Sequence, residues 1–479
     1  MALLSPGRLA ALHQMGATET RVLQDKPSDS YERGYAEDVD HIIPSPTLFD
    51  SLRDQHLVPD DMPAISQCAT HLELLEVFHS LRNRVIQSRY LDNAFNIHPS
   101  KRIVYHRKHR RQKKVGKELR DTGFEGRREE KWKYYLNIAT ARFEQWIQGI
   151  DTAMNDLEIP PCGRKVLPPL DVLVVWHAFL LNPADFKEYC LKKRLQHVQK
   201  IIFPWREIHE AIDSTTWRFT VPADQAGWIL QTTLLEPDLL HTLTEDSHIN
   251  YLARDLLRNL SESRWYNLAA NLRQANDRQS AFMQTIHAAI NNQIEHRPLV
   301  ENVQRQCIFV DKMHAHRWIR SPAVQGTLTR AVDKYENFLE LFRLYPNKFL
   351  VPTLDVDLVW HTHQCSAELY RGFVVDRVGR FINHEDNISR GTLDTGFTST
   401  EEWYQLRFGE QYQVCLCWYC EAILSAVEEE EVKDGGSWEA VDVEEIVERV
   451  GEEVEFCRDL EISRQKGRRL PRWKHGAGV

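Results

Sequence analysis

Carboxylates and histidines crowd the stretch Leu350–Gln364 and the residues just after it: Asp355, Asp357, His361, His363, then His384 and Asp386. Asp357 and His361 are four residues apart, which sets them on one face of a helix, where they could share a metal ion. His363, Asp355, His384 and Asp386 are further donors for the same chemistry. An earlier stretch, Val166–Leu180, repeats this one without a gap. Pro168, Leu170, Asp171, Val172, Val175, Trp176 and His177 match Pro352, Leu354, Asp355, Val356, Val359, Trp360 and His361. Leu173 stands in place of Asp357, and Phe179 in place of His363. What both copies keep reads as structural: the motif core is Asp171, Trp176 and His177 in one, Asp355, Trp360 and His361 in the other. A buried imidazole must hydrogen-bond, and a carboxylate near a helix start is favoured by the helix dipole. The surplus polar groups of the second copy, Asp357, His361, His363, His384 and Asp386, make it the better ligand-binding candidate. No metal-ligand set is assigned from this pattern and no cofactor is expected. The alternative is ferrous iron or zinc at the second copy.

Two other clusters carry chemistry. Cys415-Leu416-Cys417-Trp418-Tyr419-Cys420 has the look of a metal knuckle, but no second Cys-x-x-Cys completes four zinc ligands. Its neighbours Tyr412, Val414, Leu416, Ile423 and Leu424 are apolar, so the cysteines read as core packing. The basic run Lys101, Arg102, Arg107, Lys108, Arg110, Arg111, Lys113, Lys114 and Lys117 is the candidate nucleic-acid contact, suited to phosphates of RNA or anionic lipid. Tyr105 is its one stacking aromatic. The plainer alternative is a solvated, partly disordered loop drawn to the acidic stretch Glu428–Glu455. A basic cluster at Lys466–Lys474 has the composition of a nuclear-import signal.

The elements that must position these residues read as helices. Proline near each motif start suits a first helical turn. Leu354, Leu358 and His361 share a face at i, i+4 and i+7. The first copy is apolar on nearly every side, as in a helix buried all round. Asn182-Pro183 ends it, and Ser366 is placed to cap the helix after the second copy. His71–Tyr90 is predicted as an amphipathic helix, with Leu72, Leu75, Phe78, Leu81 and Val85 at helical spacing. Long helices are expected over Trp132–Asp156, Trp265–His296, Thr327–Tyr345 and Thr400–Val427. Arg142-Phe143-Glu144, upstream of the first copy, resembles Lys334-Tyr335-Glu336 upstream of the second. Downstream, Phe186 answers Tyr370. The fold class is therefore mainly α, multi-helical, with two diverged repeats each centred on a Pro-x-Leu-Asp-Val-x-x-Val-Trp-His helix. The expected organisation is a mostly disordered 1–65, a helical region 66–315 holding the first copy (166–180), a second helical region 316–427 holding the second (350–364), and a largely disordered tail 428–479, acidic then basic.

The second copy, with Asn383-His384-Glu385-Asp386 and Phe408-Gly409-Glu410-Gln411-Tyr412, resembles the glycine-rich domain-containing protein-like family, a domain of unknown function. The resemblance spans roughly Ser66 to Ala426. Relatives with a glycine-rich tail or an RNA-recognition module are implicated in RNA binding and stress responses. Here the C-terminal stretch is acidic and not glycine-rich. Some relatives bear the label of 2-oxoglutarate-dependent sulfonate dioxygenases, which would make His384 and Asp386 the first two ligands of an iron(II) triad. The only later histidine is His475, in the basic tail.

A formal charge of −9 over 479 residues is that of an ordinary soluble chain rather than a nucleic-acid specialist. Nine cysteines without framework spacing fit a reducing compartment. No apolar run reaches membrane-span length, and membrane binding is not expected. The reading is an intracellular helical interaction protein, cytoplasmic or alternatively nuclear, with an RNA or protein partner. The alternative is a metal-dependent enzyme using the second copy.

Overall fold

The computed structural model describes residues 43–52, 62–106, 115–155, 166–246, 275–385, 388–433 and 443–471, with residues 249, 254, 257 and 258 besides. Helix α1 (Ile65–Gln87) shows why the bundle assembles. Leu72, Leu75, Phe78, Leu81 and Val85 recur every three or four residues and are all buried. Its other side is buried too, through Cys68, Thr70, His71, Glu73 and Glu76. A helix covered on all sides lies in the middle of its bundle. Around α1 pack α2 (Phe124–Asn155), α3 (Leu170–Leu180), α4 (Gln293–His316), α5 (Val324–Leu344) and α6 (Leu354–Gln364). One hydrophobic core runs from Leu48 to Leu460. The fold is mainly α: the described strands form only two short antiparallel pairs. Among the described residues no helix is long and apolar enough to cross a membrane.

Each motif helix packs on the long helix before it, and corresponding positions meet in corresponding ways. In α2 and α3, Arg142 donates through Nε to Asp171 at 2.6 Å, Phe143 meets Phe179 edge-on, and Trp146 leans on Trp176 at 5.1 Å. In α5 and α6, Lys334 donates to Asp355 at 3.1 Å, Tyr335 meets His363, and Phe338 packs on Trp360 at 5.8 Å. Further on, Phe186 packs against Phe179 and Tyr370 against His363.

Several expectations need correction. The motif helices begin at Leu170 and Leu354, so Pro168 and Pro352 precede the helix rather than sit in its first turn. Ser366 makes no side-chain cap; its hydroxyl accepts the Phe203 N–H instead. Asn292 interrupts the helix expected over Trp265–His296, whose earlier part lies outside the described residues. The helix expected over Thr400–Val427 is two, Arg390–Phe408 and α7 (Trp418–Lys433). Gly409 separates them at φ +73°, a left-handed cap that glycine adopts without strain. The tail expected to be largely disordered holds α8 (Val443–Gln465), which packs against α7. Ile446, Val450, Val454, Cys457 and Leu460 form its buried stripe, a helical period hidden in an acidic composition. Glu461 ties α8 to the core through Arg320 at 3.4 Å. Residues 1–42, 53–61, 434–442 and 472–479 lie outside the description; Pro46–Leu52 is a short 3-10 helix with Leu48, Phe49 and Leu52 buried.

Candidate metal centre

Three donor atoms converge beside one face of α6. One turn of helix brings Asp357 and His361 to the same face, with Oδ1 and Nε2 3.3 Å apart. His384 closes the group: its Nε2 stands 3.1 Å from His361 Nε2 and 3.7 Å from Asp357 Oδ1. The side chain of His361 is 2% exposed, that of His384 11% and that of Asp357 22%. Asp357 is the most exposed of the three side chains, while its Oδ1 donor atom is itself buried.

The loop carrying His384 is held by the motif itself. Trp360 donates its indole N–H to Tyr370 Oη at 2.9 Å, and Tyr370 donates its own proton to the Ile382 carbonyl at 2.8 Å. Asn383 accepts the Ala184 N–H at 3.2 Å. His384 Nδ1 lies 3.1 Å from the Leu181 carbonyl, just beyond the first motif helix. A carbonyl only accepts, so Nδ1 carries the proton and Nε2 presents a lone pair. Such a carbonyl-anchored imidazole is a common outer-shell arrangement in metal sites. The Phe309 ring supports His361 edge-on at 4.5 Å, and Trp360 supports His384 at 4.9 Å.

Asp357 stays ionised. Burial works against its charge, but His361, His384 and Lys312 outweigh that and hold its carboxyl below the usual range. Its Oδ1 has no hydrogen bond of good geometry. A single proton on His361 Nε2 would be divided between two acceptors, whereas a divalent cation would satisfy all three donors. Tetrahedral zinc with bonds of about 2.0 Å separates its ligand atoms by roughly 3.3 Å, close to the spacings found here.

The other candidates are placed differently. His177, at the position of His361 in the first copy, is buried and faces His71 Nε2 at 2.8 Å. His71 Nδ1 lies 2.9 Å from the Thr362 hydroxyl, whose proton is already given to the Leu358 carbonyl. His71 therefore donates from Nδ1 and accepts at Nε2 from His177 N–H. Leu173 leaves that copy without the carboxylate. His363 does not join the metal candidates: two residues beyond His361, it turns to the other side of α6 and meets Tyr335 Oη at 3.1 Å. Asp355 is occupied by Lys334. Asp386 lies outside the described residues, so the His-x-Asp pair is represented by His384 alone.

Of the basic run, Lys101, Arg102 and Lys117 are described and exposed; Arg107, Lys108, Arg110, Arg111, Lys113 and Lys114 fall outside. The flanks, expected as a loop, pair as an antiparallel hairpin, Arg102–His106 with Val115–Leu119. Glu428, expected to attract this run, is bound to Arg330 at 2.6 Å. Cys415, Cys417 and Cys420 are half-buried rather than buried, and sequence spacing alone does not show what lies beside them.

Residues 234–372 match the family model for glycine-rich domain-containing protein-like sequences. The chain is 24% identical to glycine-rich domain-containing protein 2 of Arabidopsis thaliana over 52% of its length, and 37% identical to protein 1 of that plant over 24%. These matches span 27% and 14% of the two relatives' own length. No solved structure matches significantly.

Proposed function

We propose that this chain, a member of the glycine-rich domain-containing protein-like family, binds one divalent transition-metal ion on Asp357, His361 and His384. The convergence of three donor atoms within 3.7 Å carries the reading. The mixed nitrogen and oxygen set suits zinc or ferrous iron. Three protein ligands leave a coordination position for water or a small ligand, as catalytic sites do and closed structural sites do not. When bound, such an ion supplies an activated water or a Lewis acid. The residues here orient the donors, keep Asp357 charged and hold the His384 proton on Nδ1, away from the ion. Because Leu181 anchors His384, the ion would also clamp the end of the first motif to the second. Equilibrium titration of the metal-stripped chain with zinc, and anaerobically with ferrous iron, tests this against His384→Ala, with Cys417→Ser and Cys420→Ser in both proteins so that the cysteine cluster takes up no ion. Tight binding where His384 is kept and its loss in the alanine variant are expected.

The hairpin favours a second reading, an RNA contact. Ile103 and Tyr105 are 52% and 63% exposed, beside exposed Arg102 and Lys117, on a two-stranded unit that buries little of itself. Salt-dependent RNA binding lost in Arg102→Glu with Lys117→Glu is the corresponding test. The described cysteines are all free thiols, and on that ground we place the protein's work in the cytoplasm, with the nucleus as the alternative.

A further inference from the structure

We infer that Cys415, Cys417, Cys420 and His316 form a structural zinc site that fastens the C-terminal helical pair to the end of α4. The site shares no residue with the Asp357 centre and does not depend on it. The three sulfur atoms lie within 4.8 Å of one another. Zinc with Zn–S bonds of about 2.3 Å asks for sulfurs roughly 3.8 Å apart, a spacing that lies inside this limit. The backbone explains the convergence. The Cys417 carbonyl accepts the Glu421 N–H and so caps α7, and Cys420 follows in the first turn. Both sulfurs then sit at the positive end of the helix dipole, where thiolate is favoured.

Three thiolates need a fourth donor, and the end of α4 is bonded to this segment, with the His316 ring outside the 4.8 Å group that the sulfurs form. His316 is the last residue of α4, and Arg317 turns the chain in the left-handed region at φ 50°. Two reciprocal tryptophan bonds lock this corner to the cysteine segment. Trp418 Nε1 donates to the His316 carbonyl at 2.7 Å, and Trp318 Nε1 donates to the Leu416 carbonyl at 2.9 Å. The His316 Nδ1 atom is buried with no hydrogen-bond partner. Turning that nitrogen onto the ion completes a Cys3His set, and thiolate-rich sites select zinc. The two halves of the set come from opposite sides of the latch, which is what a staple requires.

Cobalt(II) loading of the metal-stripped full chain tests the inference, because only thiolate ligation gives a near-ultraviolet charge-transfer band. The expected result is a band that saturates at one cobalt per chain, disappears in Cys417→Ser with Cys420→Ser, and persists in Asp357→Leu. His316→Ala is expected to bind more weakly. Thiol reactivity of the wild type gives a readout that needs no variant: the three cysteines should resist an aromatic disulfide reagent until a chelator strips the zinc. Absence of the band, equal reactivity with and without chelator, or a Cys417–Cys420 disulfide in place of metal would overturn the site. Unchanged cobalt affinity in His316→Ala would remove the histidine from it.

Discussion

The Nε2 atoms of His71 and His177 stand 2.8 Å apart at the buried centre of the bundle, with one proton between them. Through His71 the chain of bonds continues to Thr362, so one histidine of α1 links the first motif helix to the second. The histidine of the first copy is thereby consumed by the fold. In the second copy His361 faces His384 and Asp357 instead. The same motif residue serves packing in one place and a donor cluster in the other.

That buried pair makes stability depend on pH. Burial, then the nearby His361, lowers the His177 pKa to about 3 from the ordinary 6.5. Burial and the His177 and His361 charges lower His71 as well. The folded pKa lies below the unfolded one, so the unfolded chain binds more protons between these values. The contribution is whole above pH 6.5 and is lost as pH falls toward 3. Each such histidine removes about 1.4 kcal/mol per pH unit in that window. Urea unfolding at pH 7.5 and 5.5 should show that fall, and equal stability at both would contradict the neutral pair.

The motif tryptophans should be costly to remove. Trp176 and Trp360 are 1% and 4% exposed. Truncating either to alanine should cost ~3–5 kcal/mol, as for other large buried aromatics. Chemical denaturation reads this directly, and a midpoint unchanged in both variants would show that the motif helices are not held by these rings.

Arg142 and Asp171 are almost wholly buried, and Arg142 also donates to the Glu236 carbonyl. Removing one partner strands a buried charge, so Arg142→Ala should cost about 3–5 kcal/mol. Replacing both, with Arg142→Met and Asp171→Leu, should recover much of that loss. A double variant less stable than the single would mean that the pair contributes more than its own neutralisation.

The helical pattern is readable in the sequence because apolar spacing is local. The five core positions of α1 and the Pro-to-His run of each motif are enough to place those helices. Asp357 with His361 is readable for the same reason, being one turn apart. His363 looks like a further ligand because of its polarity, but two residues of helix rotate a side chain to the far side. The role of His384 as the closing ligand depends on Trp360, Tyr370 and Leu181, none of which shows its hydrogen bond in sequence. Composition hides α8: its many glutamates mask the Ile446, Val450, Val454 spacing, which a search for period rather than charge would find. His316 lies about a hundred residues before the cysteines, and only the folded chain brings the two segments together.

The most direct test of the metal centre is the ion content of the full chain beside that of Asp357→Leu, which installs the residue type the first copy carries at this place. Both proteins would carry Cys417→Ser and Cys420→Ser, so that the cysteine cluster adds nothing, and both would be measured by elemental analysis after purification without chelator. We predict about one zinc or iron per chain where Asp357 is kept, almost none in the leucine variant, and the same helical content in each. Equal metal in the two, or none in either even after loading, would contradict the centre and leave Asp357, His361 and His384 as a proton-sharing contact.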